Sequence, residues 1–492
     1  VVEMTVLYPQ LPLDPEETLL SFTDRLSLFH TGRGMQRLLA DRGIHREHFI
    51  SGRVDAVAML AAATGHDVEE MQRSVIRVFP RGALFRGEEM SKTFLSPRTA
   101  RYCPACLLED GPQVDRRHRI LWGFRHVNRC DRHGAWLSKA PVKNATNIRA
   151  ALGTSPIAKA EDADGHAPEY LGWLQERMHG ESSFGDPWLD GQTTEQVLAA
   201  SEMLGGVLEH GHRVKLTKMT AAETEEATDI GFSIYREGAE AIEEALNTIR
   251  QTSSASAVQA GPLAYYGTLF DWLDRRANAI DPGPIRDILR DHIVKHSAVE
   301  PGTKVLGVEI VERRFHTIAS LSAEVRIDRP RLCRLLKKLG EVPLDATDIE
   351  SGNMIFEAAN TVPLIRDFNT AVPLEELPEY LGASKRQVEI LYREGIVKPL
   401  VPRTGRGSVR HVVFSRRHLD DLLEILHALP EVDEELSGKY HALAYACQRG
   451  VGHFEKVFVA ILVGRIPAHR QPGKSGIAAI CIDVNSALLM QI

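Results

Sequence analysis

Tyr102-Cys103-Pro104-Ala105-Cys106 and, farther along, Cys130-Asp131-Arg132-His133 form a CxxC followed by a CxxH. Two donors separated by two residues reach one tetrahedral ion from a tight turn, and two such pairs supply the four soft or borderline donors that zinc prefers. Four protein ligands leave no open position for an activated water. Cys103, Cys106, Cys130 and His133 are therefore expected to hold one structural Zn2+, stapling a segment that lacks the apolar mass to fold alone. His118 and His126 fall outside the paired spacing and read as surface residues. Between residues 101 and 133, seven basic residues (Arg101, Arg116, Arg117, Arg119, Arg125, Arg129 and Arg132) stand against four acidic ones. Such a surface either contacts phosphate or is simply solvated.

Around this segment the chain has ordinary globular chemistry. Its 492 residues carry a formal charge of −7, with 43% hydrophobic and 25% charged residues. That balance excludes a disordered chain, a collagen-like fibre and a membrane protein, and the length suggests about three or four domains. The longest apolar stretch near the end, Val457–Val463, is far shorter than the roughly 20 residues of a spanning helix. Val1–Gln10 has no basic stretch followed by an apolar core, so no secretory signal is expected there. Of the six cysteines, Cys333, Cys447 and Cys481 stand alone, which speaks for metal binding by the clustered three rather than a disulfide framework.

The N-terminal region predicts a helix capped by Asp14, with Pro15 in its first turn, Glu17 completing a capping box and a buried stripe of Leu19, Phe22, Leu26 and Phe29. A helical pair follows, 54–64 and 67–78, broken at Gly65; with only Arg73 and Arg77 basic in its second member, it reads as core packing rather than a DNA reader. Residues 141–190 read as a loose Gly/Pro-rich connection. Helical patterns at 193–208, 239–249, 265–276 and 284–296 then form a middle region without recognisable chemistry.

The last part of the chain holds three helix pairs. The first spans 311–340, with its second helix from about Arg329 to Leu339. The second begins at Val372, turns at Gly382 and starts its second helix after a capping Ser384. The third spans 434–464, turning at 450–452. In the second and third units a Gly-rich tip, 403–407 and 470–476, leads into a β-branched run, a helix-turn-helix plus a β-hairpin wing used twice. Local charge is strongly positive. Eight basic residues stand against three acidic ones in 311–340, and nine against two in 384–418. The N-terminal residues of a second helix face base edges, which assigns DNA contact to Arg329, Arg331 and Arg334 and to Ser384, Lys385, Arg386 and Gln387, with Arg403, Arg406 and Arg410 on the wing. The second helix of the third unit, Phe454–Val463, is too apolar for a wet groove and is expected to pack on protein.

One order of motifs is specific. Glu17 and Ser21-Phe22-x-x-Arg25-Leu26 precede Arg101-Tyr102-Cys103-Pro104-x-Cys106-Leu107, Glu109-Asp110, Trp122 and finally Cys130-x-x-His133 with Leu137. Over residues 5–140 this set resembles the TniQ/TnsD family of transposon target-selection proteins. The resemblance implies a DNA-associated adaptor that recruits an AAA+ ATPase, which in turn engages a transposase. Some members sit instead on a CRISPR effector complex. Relatives with further zinc ligands exist, but the scattered remaining cysteines limit this chain to one zinc.

The fold class expected is mainly α. It comprises a TniQ-like domain with a structural zinc knuckle (1–143), a helical middle domain (144–300), a helix-turn-helix (301–345), a winged helix-turn-helix (360–430) and a second winged unit (431–492), with small β-hairpins. The expected function is target-site selection in DNA transposition, without catalysis: no P-loop, HExxH or nucleophile elbow is present. Double-stranded DNA, the ATPase and, indirectly, the transposase are the expected partners, with a homodimer and a CRISPR effector as further candidates and no membrane. The bacterial cytoplasm, at the nucleoid, is the expected location. A transcription regulator, or an adaptor that does not itself read DNA, remains the alternative.

Overall fold

The computed structural model describes residues 6–95, 101–142, 145–163, 165–179, 187–255, 260–276, 281–401, 412–432 and 438–490. The chain is mainly helical, with short antiparallel strand pairs. It divides into two compact units, Val1–Lys295 with Lys304–Glu309, and His296–Thr303 with Ile310–Ile492.

In the first unit, helix Leu19–Thr31 buries Leu19, Phe22 and Leu26 as the spacing predicts. Phe29 does not join them; it is 57% exposed and packs edge-on against His30. The helix also begins later than expected. Thr18, not Asp14, caps it, accepting from the Ser21 N–H at 3.3 Å. Tertiary contacts impose this start: Thr18 N–H donates to His118 O at 2.9 Å and Leu19 N–H to Ser74 O at 3.2 Å, pinning the entering chain. Glu17 therefore completes no capping box and is buried beside Arg25.

The next helical pair, Val54–Thr64 and Val68–Arg73, puts Ala56, Val57, Leu60, Ala61 and Met71 into the same core, as plain packing requires. Its second helix stops at Arg73 rather than Val78. The β-branched Val75, Ile76 and Val78 favour extended backbone, and Arg77–Val78 pairs with Ala83–Phe85.

The stretch 141–190 is more ordered than its composition suggests. It contains helix Glu169–His179, whose Tyr170, Trp173 and Leu174 are buried. The middle helices form as expected, at Thr194–His210, Ala239–Gln251, Pro262–Arg276 and Ile285–His296. A further one, Ala221–Tyr235, is hidden in the sequence by its small and polar residues. It lies backbone to backbone on helix Thr194–His210. A Cβ at Gly205 would sit 1.8 Å from Ala227 O, and one at Gly231 1.8 Å from Ser201 O, so only glycine allows this approach.

The second unit uses one design three times, not twice. Each copy runs strand, helix, turn, helix, strand, helix, the first with a further short helix, Asp348–Gly352, before its closing strand, and in each the first strand pairs antiparallel with the last. The pairs are Phe315–Thr317 with Ile355–Glu357, Val372–Pro373 with Val413–Phe414, and Tyr440–Ala442 with Ile480–Asp483. Strand His469–Arg470 adds a wing edge to the third. The first copy has its own core of Leu321, Leu332, Leu336, Phe356 and Ile365. The second and third share one, in which Leu391, Phe414, Val457, Phe458 and Ile482 meet. Their union is tight at the Gly382 turn, where Ile477 N–H donates to Leu381 O at 2.9 Å and Ala478 N–H to Gly382 O at 2.8 Å. Gly382 has φ +59°, and a Cβ there would lie 2.5 Å from Ser475 O.

Candidate metal centre and nucleic-acid interface

Strand Arg101–Tyr102, paired with Ser138–Lys139, delivers Cys103 to the N-terminus of helix Pro104–Glu109. Pro104 at the first helical position fixes the turn, and Cys106 follows within the helix. The second knuckle closes when Gly134 N–H donates to Cys130 O at 2.9 Å and Cys130 N–H to Ala135 O at 2.8 Å; Gly134 takes the required left-handed φ of 61°. These two turns bring all four expected ligands together. His133 Nδ1 lies 3.6 Å from Cys103 Sγ, 3.3 Å from Cys106 Sγ and 3.6 Å from Cys130 Sγ, and the Cys106 and Cys130 sulfurs are 3.6 Å apart. Zinc bonds of about 2.3 Å to sulfur and 2.0–2.1 Å to nitrogen would put tetrahedral ligand atoms roughly 3.5–3.8 Å apart. The cluster can therefore hold a metal such as zinc.

Its electrostatics point the same way. Hydrogen bonds from Cys106 and Cys130 pull the Cys103 thiol well down, while those to Cys103 and Cys130 push Cys106 far up. The three sulfurs cannot all ionise beside one another without a cation. His133 Nε2–H donates to Glu109 Oε1 at 2.9 Å, which turns an unprotonated Nδ1 toward the sulfurs and orients the ring. Motif spacing does not reveal this role of Glu109, although Glu109-Asp110 stands in the motif order directly after the first cysteine pair.

Six of the seven surrounding arginines are held by carboxylates or carbonyls rather than forming a free basic surface. Arg101 is buried and its NH2 donates to the carbonyls of Trp122, at 3.1 Å, and Phe124. Arg117 donates to Asp110, at 2.9 Å from Nε, and to Asp14 at 2.7 Å. Arg119 pairs with Glu16 at 3.0 Å, Arg125 with Glu202, and Arg132 with Glu109 at 3.3 Å. Arg129 Nε donates to Glu225 Oε1 at 2.7 Å, both side chains being buried, and its guanidinium lies over Trp136. Both histidines expected at the surface are drawn inward as well. His126 is 1% exposed and pairs with Glu202 at 3.0 Å, because the Gly205/Gly231 crossing packs Glu202 and Glu225 against this segment. His118 is half-buried, its Nε2–H donating to Arg101 O at 3.0 Å; burial holds its ring down to about 4.

The motif at the start of the chain has a similar meaning. Glu17 accepts from Ser21 Oγ at 2.7 Å and from Arg25 Nε and NH2 at 2.9 Å. Ser21 Oγ accepts in turn from His118 N–H at 3.0 Å, joining the first helix to the metal segment.

In the second unit the basic residues are arranged differently. Asp328 caps helix Arg329–Leu339, accepting from Arg331 N–H at 3.0 Å, after a turn with Arg326 at φ +55°. Leu332, Leu335 and Leu336 face the core, while Arg329, Arg331 and Arg334 are exposed. Ser384 and Gln387 form a reciprocal capping box at helix Lys385–Arg393, Ser384 N–H donating to Gln387 Oε1 at 2.9 Å. Those two side chains hold the helix start, and Lys385 and Arg386 are exposed beside them. Among the described residues, Arg329, Arg331, Arg334, Lys385 and Arg386 have no carboxylate partner. Other charges in the second copy are engaged: Arg417 reaches Asp367 at 3.5 Å, and Arg416 stacks over Tyr380 and donates to Thr370 O at 3.2 Å. The base of the wing is present, with Leu400 N–H donating to Val413 O at 2.8 Å. Arg403, Arg406 and Arg410 lie outside the described residues. No helix of the described residues is long and apolar enough to cross a membrane.

The first unit is thus mainly helical and holds the Cys3His cluster, and the second is a tandem of helix pairs, each closed by a short antiparallel strand pair. Residues 9–137 match the TniQ family model. The chain thus carries a TniQ domain over about a quarter of its length, which implies a transposition-associated protein. No curated protein matches the chain significantly.

Proposed function

We propose that this chain is a target-site selection adaptor of a DNA transposition system. The observation that carries the reading is the joining, in one chain, of a TniQ domain to two modules whose turn-following helices expose unpaired cations. In this reading Cys103, Cys106, Cys130 and His133 hold one structural Zn2+, and the TniQ domain recruits an AAA+ ATPase that engages the transposase. Lys385 and Arg386, placed by the Ser384–Gln387 box, reach duplex DNA as the main grip, with Arg403, Arg406 and Arg410 on the wing. Arg329, Arg331 and Arg334 assist, and the third module holds the second in place. The protein neither cuts DNA nor hydrolyses ATP, and it works at the nucleoid in the cytoplasm.

The test combines two measurements on the full chain: titration against target and scrambled duplexes at two salt concentrations, and identification of what it captures from its host. Specific duplex binding together with capture of an AAA+ ATPase is the expected result. Duplex binding without the ATPase would make the protein a transcription regulator instead. ATPase capture without duplex binding would move target choice to a guide-RNA effector.

A further inference from the structure

A pocket of about 220 Å3 lies in the first unit, where the start of helix Leu19–Thr31 meets strand Arg77–Val78, the turn Ile120–Gly123 and the start of helix Ile148–Leu152. Its walls include the buried Phe49, Ile120 and Trp122 and the half-buried Leu20, Ile50 and Ile76, so it opens to solvent. Among the described residues no aspartate, glutamate, lysine or arginine lines it, and burial keeps the ring of His118, also in the wall, neutral. One polar group here lacks a partner. Ser74 lines the pocket and is 3% exposed, yet its Oγ makes no hydrogen bond among the described residues. Its backbone is engaged, the N–H donating to Met71 O and the carbonyl accepting from Leu19 N–H. A buried hydroxyl left unpaired costs free energy that a ligand's hydrogen bond recovers.

We propose that this pocket receives an aromatic side chain carrying one hydrogen-bond donor, a tryptophan or tyrosine on a peptide segment of a partner protein, with its N–H or O–H donating to Ser74 Oγ. Size supports an aromatic ring. A dry cavity of about 150 Å3 lined by leucine, isoleucine and phenylalanine holds benzene, so about 220 Å3 suits the larger indole or phenol. Sites for whole drug-sized molecules run from about 300 Å3 upward, which favours an anchor on a chain over a free cofactor. Walls without charge give no counterion to a phosphate, a carboxylate or an ammonium group. An aliphatic anchor would leave Ser74 unpaired, whereas tryptophan and tyrosine join an apolar body to a donor and are frequent anchors of protein interfaces. The pocket uses no residue of the second unit and is independent of its cationic helices.

Ligand-observed NMR titration of the full chain tests this with N-acetyl-tryptophanamide and N-acetyl-tyrosinamide, set against N-acetyl-1-methyltryptophanamide and free indole. Both unmodified amides should bind, and the 1-methyl form, which lacks the indole N–H, should bind roughly tenfold more weakly than its parent amide. Ser74→Ala removes an unpaired group, so its melting temperature should not fall, and it should erase the difference between the two tryptophan amides. Gly123→Leu places a side chain in the pocket, with its Cβ in ordinary contact 3.6 Å from Ile76 Cδ1, and should abolish binding while circular dichroism shows the chain folded. Binding of neither amide, equal binding of the methylated form to the parent chain, or binding that both variants leave unchanged would each overturn the proposal. Binding of indole without the tryptophan amide would overturn it in favour of a free aromatic molecule.

Discussion

The metal segment and the Arg329 and Lys385 helices are both arginine-rich, and the protein uses that richness in opposite ways. Around the cysteines the guanidinium groups turn inward. Arg129 reaches Glu225, Arg125 reaches Glu202 and Arg117 bridges Asp110 and Asp14. At the starts of those two helices, Arg329, Arg331, Arg334, Lys385 and Arg386 turn outward to solvent. A buried charge must recover its lost hydration from a carboxylate or carbonyls, and the first unit supplies these from several helices. The modules supply leucines to one face of each short helix and leave the other face for a ligand. Arginine density alone therefore does not identify a nucleic-acid surface; what decides is whether carboxylates fold back onto it.

The strongest way to break this contrast is through the metal. Structural zinc contributes roughly 10–16 kcal/mol in small finger peptides, as much as a whole domain's stability of about 5–15 kcal/mol. Cys106→Ser, or chelation, should unfold the TniQ domain while leaving the second unit's helices intact, as followed by circular dichroism and limited proteolysis. Metal analysis should find about one zinc per folded chain; zinc retained by a mutant lacking all four ligands would contradict the site.

Next in size is the buried pair. Arg129→Ala leaves the Glu225 carboxylate desolvated, and burial already raises its pKa. A loss of about 3–5 kcal/mol is expected in denaturant unfolding of the first unit, with DNA affinity unchanged. An unchanged midpoint would mean that the pair is not a structural clamp.

The module cations should show the reverse pattern. Lys385→Ala with Arg386→Ala should leave stability nearly unaltered and weaken specific duplex binding by roughly 1–3 kcal/mol for each base that is no longer read. Arg331→Ala with Arg334→Ala should have the smaller effect of the two. Where a side chain touches phosphate instead, the weakening should be alike for all sequences, with the salt dependence flattened by about 0.9 per phosphate. Parent-like binding by both variants would assign these faces to solvent or protein.

Two smaller effects sharpen the comparison. Ser384→Ala removes one half of the capping box and should cost about 1 kcal/mol in the second module alone. His118 tests the first unit's inward packing. Its folded pKa is depressed to about 4 by burial, below the ordinary 6.5. Between those values the unfolded chain binds more protons, so His118 contributes fully above pH 6.5 and loses its contribution as pH falls toward 4. His118→Gln should match the parent at neutral pH and lose less stability in that acid window.

How far the molecule can be read from its sequence depends on how local the information is. The four ligands are legible because two knuckle turns carry their own geometry. The turns at Asp328 and Ser384 are legible because a cap and its helix are adjacent. The first module's resemblance to the other two is not, since its closing strand, Ile355–Glu357, lies far beyond its second helix and has no glycine-rich tip before it. Helix Ala221–Tyr235 is illegible because Gly231 and its alanines carry no apolar stripe; they are small so that a neighbouring backbone can come close.

By itself, then, the amino-acid sequence determined the Cys3His set, the helical character of the chain and the cationic starts of two helices, all of which depend on residues within a few positions of one another. Only the tertiary structure decided which charges remain available. Glu202 and Glu225 meet Arg125 and Arg129 across 77 and 96 residues, and no local pattern encodes those meetings. They depend on two helices lying close enough, at Gly205 and Gly231, to carry both carboxylates to the metal segment, where desolvated arginines require them.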